Sequence, residues 1–447
     1  MLSKQDKKPK FIEIPKDWDF DELQNMTEKI TKGTTPTTYG YNYVNEGINF
    51  IKIESIDDQG NFIKESFAHI TEEVHEKLAR SKMQEGDILV SIAGNLGRVA
   101  IVTNDILPAN TNQAIAIVRF NNSNNYNLKY IFYYLKGFAI KKYIKLVSTT
   151  GAQPNLSLKQ VGEFEIALPP EKEQCKIAEI LTCFDNAIKK TETIIEQTEK
   201  VKRGLMQQLL TKGIGHTKFK KTEIGDIPVE WDVIELGEIA DQNIKYSFTG
   251  GPFGSDLTSK EYTEEGVQII QLQNIGEGFF NNNYRIFTSD KKADQLSSCN
   301  IFPGDIIMAK MAEPVARACI VPNHSNRYVM ASDGIRLVVD KNKYSTEYVT
   351  YSINAPYFRQ QAIENSTGTT RLRIGLKTLR KLKFIAPSLE EQKRISEILG
   401  TIDNKLDKER SKLEQLKKIK NAHMQQLLTG KVRVKVDEEV VISSWQQ

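Results

Sequence analysis

MQQLLTK occupies residues 206–212 and MQQLLTG residues 424–430. The two heptapeptides lie 218 residues apart, and other similarities keep that offset: Gly86-Asp87-Ile88 with Gly304-Asp305-Ile306, Gly60 and Phe62 with Gly278 and Phe280, Glu173-Gln174 with Glu391-Gln392, and Asp185-Asn186 with Asp403-Asn404. Arg98 and Arg317, in GRVAIV and ARACIV, lie one residue further apart, which a single insertion explains. IPKDW at 14–18 likewise resembles IPVEW at 227–231. The chain is read as a tandem duplication of about 215 residues, a longer period than any solenoid repeat. Its 447 residues also exceed what one core supports, and about 150 residues per domain predicts two to four domains.

Each repeat ends in a helix signature. From Glu171 to Leu210 apolar side chains recur at Ile177, Leu181, Phe184, Ile188, Ile195, Leu205 and Leu209, and Thr191, Thr198 and Lys202 complete the alternating steps of four and three. Ile395, Leu399, Ile402, Leu406, Leu413, Leu416 and Leu427 keep the same seam in the second copy, with Glu409 and Lys420 at the polar interruptions. Pro169-Pro170 and Pro387 stop the preceding segment and suit a helix start. Roughly 40 residues at about 1.5 Å each make a rod of about 60 Å. So narrow a seam covers one partner, and an intramolecular, antiparallel coiled coil with pseudo-twofold symmetry is expected. The alternative is two separate amphipathic helices, each lying on its own domain.

The fold class read from these patterns is α+β, with two tandem α/β domains each followed by a long helix. The expected divisions are an N-terminal tail (1–13), a first domain (14–170), a central helix (171–212), a connector (213–227), a second domain (228–385), a distal helix (386–430) and a C-terminal tail (431–447). Strands are predicted at FIKI, DILVSI, RVAIV and AIAIVRF, and at VQIIQL, DIIMAK, ACIVP and IRLVVD. Helices are predicted around 127–145 and 345–364. The tails are expected to pair as strands and imitate the connector. Loops rich in Gly, Thr, Asn and Pro, such as KGTTPTTYG and GGPFGSDL, are the kind that carry binding on a rigid scaffold.

A hydrophobic share of 39% and a charged share of 26% belong to a globular chain rather than a disordered one. No apolar leader or run of about 18 apolar residues is present, so a cytoplasmic location without membrane contact is expected. Cys175, Cys183, Cys299 and Cys319 match neither a disulfide framework nor a paired metal motif and are expected to be reduced and structural. No GxxxxGK[ST] loop, GxSxG, HExxH or HxxxH occurs, so no catalytic, cofactor or metal residues are assigned. His423, which replaces Leu205 of the other copy, is read as helix packing. The acid pairs Glu72-Glu73 and Glu390-Glu391 are read as complements to helix N-termini.

A net charge of +4 does not by itself argue for nucleic acid, but its distribution is informative. Between Asp105 and Glu163 the chain has no acid and carries Arg119, Lys129, Lys136, Lys141, Lys142, Lys145 and Lys159. Between Glu364 and Glu390 the pattern recurs with Arg371, Arg373, Lys377, Arg380, Lys381 and Lys383. One such run is ordinarily a solvated face. Its recurrence in the second copy weakens that reading.

These residues resemble the specificity subunits of type I restriction-modification systems. The likeness covers residues 14–434. It rests on PPEKEQCKIAEIL with APSLEEQKRISEIL, MQQLLTK with MQQLLTG, GDILVSIAGNLGRVAIV with GDIIMAKMAEPVARACIV, and KGTTPT with GGPFGSDL. Thr34 where the family often has a second glycine, Cys175 where a basic or polar residue is common, and Lys212 opposite Gly430 depart from the pattern. The resemblance implies two target-recognition domains, each reading half of a split double-stranded DNA target, with half-sites about 34 Å apart per DNA turn. It further implies two methyltransferase subunits that methylate adenine N6 with S-adenosylmethionine, and restriction subunits that use ATP and Mg. One copy of this chain would serve each complex and would itself catalyse nothing.

Phosphate contacts are expected from Lys141, Lys142 and Lys145, and from Arg371, Arg373 and Lys377. Base reading favours paired donors and acceptors: Arg98, Asn112, Gln113, Gln153 and Asn155 in the first copy, and Arg317, Thr369, Thr370 and Arg371 in the second. The loop with Lys32, Thr34, Thr35, Thr37 and Tyr39, and its counterpart with Ser255 and Lys260, form a third contact region. An assembly scaffold that binds two proteins and no DNA predicts the same helices, but gives the acid-free runs no purpose. An enzyme with unrecognised motifs predicts product from the isolated chain with DNA and cofactors.

Overall fold

The computed structural model describes residues 13–121, 126–147, 155–311, 313–369 and 371–435. Gln153, Thr370 and most of the two tails lie outside the described residues. The chain divides into two compact units, Met1–Glu192 with Lys412–Gln447, and Thr193–Ser411. Each unit contains one strand-rich region and a part of both long helices, which run Glu171–Lys212 and Leu389–Leu427. Among the described residues no helix is long and apolar enough to cross a membrane.

In the first unit an antiparallel sheet is ordered Thr27–Lys32, Ile115–Phe120, Ile88–Ser91, Val99–Ile101. Alternation explains why its central strands read as continuous apolar runs. Ile88, Val90, Ala116 and Val118 face a cluster that includes the helical Tyr130, Tyr133 and Tyr134, whereas Leu89, Ala100, Ile115 and Ile117 face another with Ile51 and Ala109. Ile51 and Ala109 belong to a three-stranded sheet in which Ile48–Ile51 pairs in parallel with Ala109–Thr111. A third pairing, Asp19–Glu22 with Glu165–Leu168, joins the start of the unit to the strand before the central helix.

The second unit repeats the plan. Its sheet is ordered Phe248–Gly250, Gly334–Leu337, Ile306–Ala309, Ala318–Ile320, with Ile306 and Met308 on one core and Ile307 and Ala309 on another. A five-stranded sheet includes the parallel pair Val267–Ile270 and Tyr328–Met330. The repeated GDI motif has a structural use in both units. Asp87 takes a two-point grip from Arg119 at 2.8 and 2.7 Å, and Asp305 pairs with Arg336 at 2.8 Å, each pinning a sheet strand to the turn before its neighbour.

The helices expected at 127–145 and 345–364 are each broken in two. Leu128–Leu135 and Phe138–Val147 meet at Gly137, where a Cβ would come within 2.8 Å of the Tyr134 carbonyl. Thr346–Ile353 and Pro356–Glu364 meet at Ala355, which precedes proline and is extended at φ −73, ψ 152. The cysteines are free thiols, and Cys183 is exposed rather than structural.

Within each unit the two long helices pack antiparallel: partner numbers fall along one as they rise along the other. In the first unit Asp185 pairs with Lys420, and Glu192 with Lys417 at 2.8 Å; in the second Glu199 pairs with Arg410 at 2.6 Å and Lys202 with Asp403 at 2.5 Å. Tyr133 donates to Asp185 and Tyr351 to Asp403, each at 2.7 Å, so the same tyrosine–aspartate–lysine clamp occurs in both units. The apolar stripe serves two purposes. Ile177, Leu181 and Leu427 enter the first unit's core and Leu209, Ile395 and Leu399 the second's, while Leu205 packs against the latter partly buried. Ile188 and Leu406 are buried; Phe184, Ile195, Ile402, Leu413 and Leu416 are half-buried. His423 lies edge-on to Phe184, with ring centroids 5.2 Å apart.

The repeated heptapeptides end those helices on a tryptophan. Met424, Leu427 and Leu428 share a core with Trp18, and Leu209 and Leu210 share one with Trp231. Gly430 (φ +68) and Gly213 (φ +69) take the left-handed conformation just beyond, where a Cβ would strike Pro15 at 2.4 Å or Trp231 at 2.5 Å. The departure at Lys212 is thus absorbed by a one-residue shift of the glycine. Trp18 donates its indole N–H to Glu173 at 3.2 Å, and Trp231 donates to Glu391 at 2.8 Å. Glu391 therefore does more than complement a helix end: it also accepts from the Ile214 amide at 3.0 Å.

Candidate nucleic-acid interface

Antiparallel pairing fixes where the loops gather. In the first sheet Lys32 and Ser91 end strands at the edge where Val99 and Ile115 begin them. The segments 33–39, 92–98 and 112–114 must therefore emerge together. Gly33 permits the closest approach, since a Cβ there would lie 1.8 Å from the Thr111 carbonyl oxygen. The Thr34 amide donates to that oxygen at 3.2 Å, Arg80 donates to the Thr34 hydroxyl at 2.8 Å, and the Thr35 hydroxyl donates to Gln113. Ile92 extends the link, donating to the Ala114 carbonyl and accepting from the Leu156 amide, both at 2.8 Å. Thr34, Thr35, Asn112, Gln113 and Asn155 are thereby brought to one sheet end, while Lys32, Thr37 and Tyr39 are exposed on the same loop.

The second unit builds the corresponding end from other residues. A Cβ on Gly251 would lie 1.9 Å from the Ala331 carbonyl oxygen, and the Ile374 amide donates to the Lys310 carbonyl at 3.0 Å. Thr367 and Arg373 exchange backbone bonds of 2.9 Å across a turn containing Gly368, leaving Thr369 and Arg371 exposed at its tip. Arg373 reaches Asp333 at 2.9 Å, so part of its charge is met within the unit. Ser255 and Lys260 are exposed on the loop after Gly251. That loop also carries Phe253, 83% exposed, which sequence reasoning missed; the signal was an aromatic set among glycines in GGPFG.

Two expected base readers are differently engaged. Arg98 donates to Asp58 at 2.8 Å and to the Ile56 carbonyl at 2.9 Å, and Arg317 donates to the Leu272 carbonyl at 2.8 Å and that of Glu313 at 3.1 Å. Their planar groups brace loops of their own unit, and base contact by the same donors requires breaking those bonds. Lys141, Lys142 and Lys145 are exposed on Phe138–Val147, a helix whose Ile144 packs over Gly97. Among the described residues no acid pairs with Lys141, Lys142, Arg371 or Lys377.

Comparison with known proteins agrees with this architecture. A family described as the type I restriction modification DNA specificity domain matches residues 15–200 and 228–418. A protein of Methanocaldococcus jannaschii, named provisionally as the MjaX type I restriction enzyme specificity subunit, is 31% identical, covering 96% of this chain and 97% of its own. The MjaVIII type I restriction enzyme specificity subunit of the same organism is 28% identical, over 95% of each chain. A solved type I restriction-modification S subunit from M. genitalium has the same fold, with a TM-score of 0.54, 17% identity, and coverage of 95% of this chain and 99% of that one. The chain belongs to the type I restriction-modification DNA specificity family. It is accordingly a specificity subunit, a class that carries no catalysis of its own.

Proposed function

We propose that each unit reads one half of a bipartite double-stranded DNA target through its gathered loops. The carrying observation is that two equivalent sheet ends present different side chains: Thr34, Thr35, Asn112 and Gln113 on one, and Asp333, Thr369, Arg371 and Arg373 on the other. One scaffold with two chemistries suits two different half-sites. Direct readout uses such donor and acceptor pairs, while the exposed Lys141, Lys142, Lys145, Arg371 and Lys377 suit phosphates. In this reading 14–170 and 228–385 are the recognition domains, joined through the helices 171–212 and 386–430 and the connector 213–227. The chain works in the cytoplasm, one copy per complex, with two methyltransferase subunits using S-adenosylmethionine and with restriction subunits using ATP and Mg.

The test is to co-express the chain with its methyltransferase subunit and map N6-methyladenine across the genome by single-molecule sequencing. A split motif with a fixed unspecified spacer, absent without this chain, is the expected result. Replacing Thr369 and Arg371 with Ala should relax one half of the motif only. Methylation unchanged by deleting the chain, with its partner binding verified, defeats the reading.

A further inference from the structure

The two units differ informatively at one short helix. In the second unit Asp290–Gln295 is capped by Ser289, and Asp290 and Asp294 both receive Arg327, at 2.8 and 2.5 Å. A cation therefore bridges two carboxylates one helical turn apart, tying the helix to the strand Tyr328–Met330 that follows the arginine. Beneath them Ala293 and Val329 are fully buried and apolar.

The equivalent helix of the first unit, Glu72–Lys77, is capped by Thr71 and keeps both acids, Glu72 and Glu76, 218 residues before their counterparts. It lacks the arginine: Pro108 and Ala109 occupy the matching positions. Where the second unit has Ala293 and Val329, the first has His75, 8% exposed, and Asn110, fully buried. A buried polar pair costs free energy that an apolar pair does not, so packing alone does not account for it.

The hydrogen bonds fix which histidine nitrogen donates to the asparagine. Asn110 donates its amide N–H groups to the Leu78 carbonyl at 3.2 Å and the Ser81 hydroxyl at 2.8 Å, and a carbonyl only accepts. The asparagine oxygen therefore faces the His75 Nδ1, which must donate to it. In the neutral imidazole the lone pair then belongs to Nε2, the arrangement in which a metal-binding imidazole is oriented by a partner on its other nitrogen. One oxygen of Glu72, one of Glu76 and a ring nitrogen of His75 all lie within 4.8 Å of one another. Positions i, i+3 and i+4 place the three on one helical face. Lys82 holds one oxygen of Glu76 at 2.5 Å and leaves its other oxygen available.

We infer that Glu72, His75 and Glu76 bind a divalent transition ion of the zinc class, which here bridges the two carboxylates as the Arg327 guanidinium does in the second unit. One imidazole nitrogen and two carboxylates suit Zn2+, Co2+ or Ni2+, with water completing the coordination. The test uses the tag-free full chain, titrated with Zn2+ by calorimetry and with Co2+ by its visible absorption. One equivalent should bind, and Glu72→Gln with Glu76→Gln should weaken it at least tenfold, whereas Asp290→Asn with Asp294→Asn should leave it unchanged. Zn2+ should raise the unfolding temperature of the parent chain and not of the Glu72→Gln single variant, whose side chain is exposed. Absence of stoichiometric binding, or binding equally tight in the glutamine variants, overturns the site.

Discussion

Lys136 and Lys141 stand five residues apart in the same acid-free run, yet one is half-buried and the other exposed. Charge counting could not separate them, because the run does not say which side of a helix faces the core. The Lys136 ammonium donates to the Gln59 carbonyl, and burial, reinforced by the nearby Lys420, pushes its pKa down to about 8 from an ordinary 10.5. Below about 8 it is charged in folded and unfolded chains alike, so the cost of burying that charge is fully present. The cost falls as pH rises from about 8 towards 10.5, where the unfolded chain also becomes neutral. That gap corresponds to roughly 3 kcal/mol, from which about 1 kcal/mol is subtracted for the bond to Gln59. Lys136→Met should therefore stabilise the first unit by about 1–3 kcal/mol at pH 7, with the gain shrinking by pH 10. Denaturant titrations of both chains at the two pH values decide it, and a gain independent of pH would exonerate the ammonium.

The long helices show the same division between visible and buried charge. Glu192 and Lys417 are each 43% exposed in their side chains, and a pair of that kind contributes about 0–1 kcal/mol. Lys420 is 8% exposed and lies over the ring of Tyr133 while pairing with Asp185, whose side chain is 28% exposed. Removing one partner of a fully buried pair costs about 3–5 kcal/mol, and the partial exposure of Asp185 reduces this to about 2–3. Lys420→Met should thus destabilise the first unit by that amount, and Glu192→Gln by less than about 0.5 kcal/mol. Adding Asp185→Asn to Lys420→Met should restore part of the loss in a double-mutant cycle. Equal effects of the two single substitutions would mean that the clamp is no more than another surface pair. Sequence periodicity marked both lysines of the clamps, Lys202 and Lys420, only as interruptions of an apolar stripe. Their partners come from the other helix and from Tyr133 and Tyr351, a pairing no local pattern contains.

At the scale of the chain, the duplication and its helices were legible because helical periodicity and a constant offset survive in one dimension. The inward turn of Arg98 and Arg317 and the meeting of His75 with Asn110 were not, since each depends on contacts between distant segments. Least legible was the make-up of the first unit, which takes Lys412–Gln447 as well as its own amino-terminal residues. Met424, Leu427 and Leu428 fill a core with Trp18, Ile177 and Leu181, and Arg433 reaches Glu173 at 2.8 Å and Asp17 at 2.9 and 2.7 Å. Three large apolar side chains at about 1.5–3 kcal/mol each amount to roughly 5–9 kcal/mol, comparable with the 5–15 kcal/mol that holds a typical domain folded. Deleting residues 412–447 should therefore unfold the first unit, although the deletion begins 220 residues after Glu192. The second unit keeps its whole core, including Leu209, Leu210, Ile395 and Leu399. Limited proteolysis with mass spectrometry should accordingly recover a protected fragment lying within 193–411 and rapid cleavage before it. Equal protection of residues 14–170 in the shortened chain would show that the first unit does not depend on the distal helix.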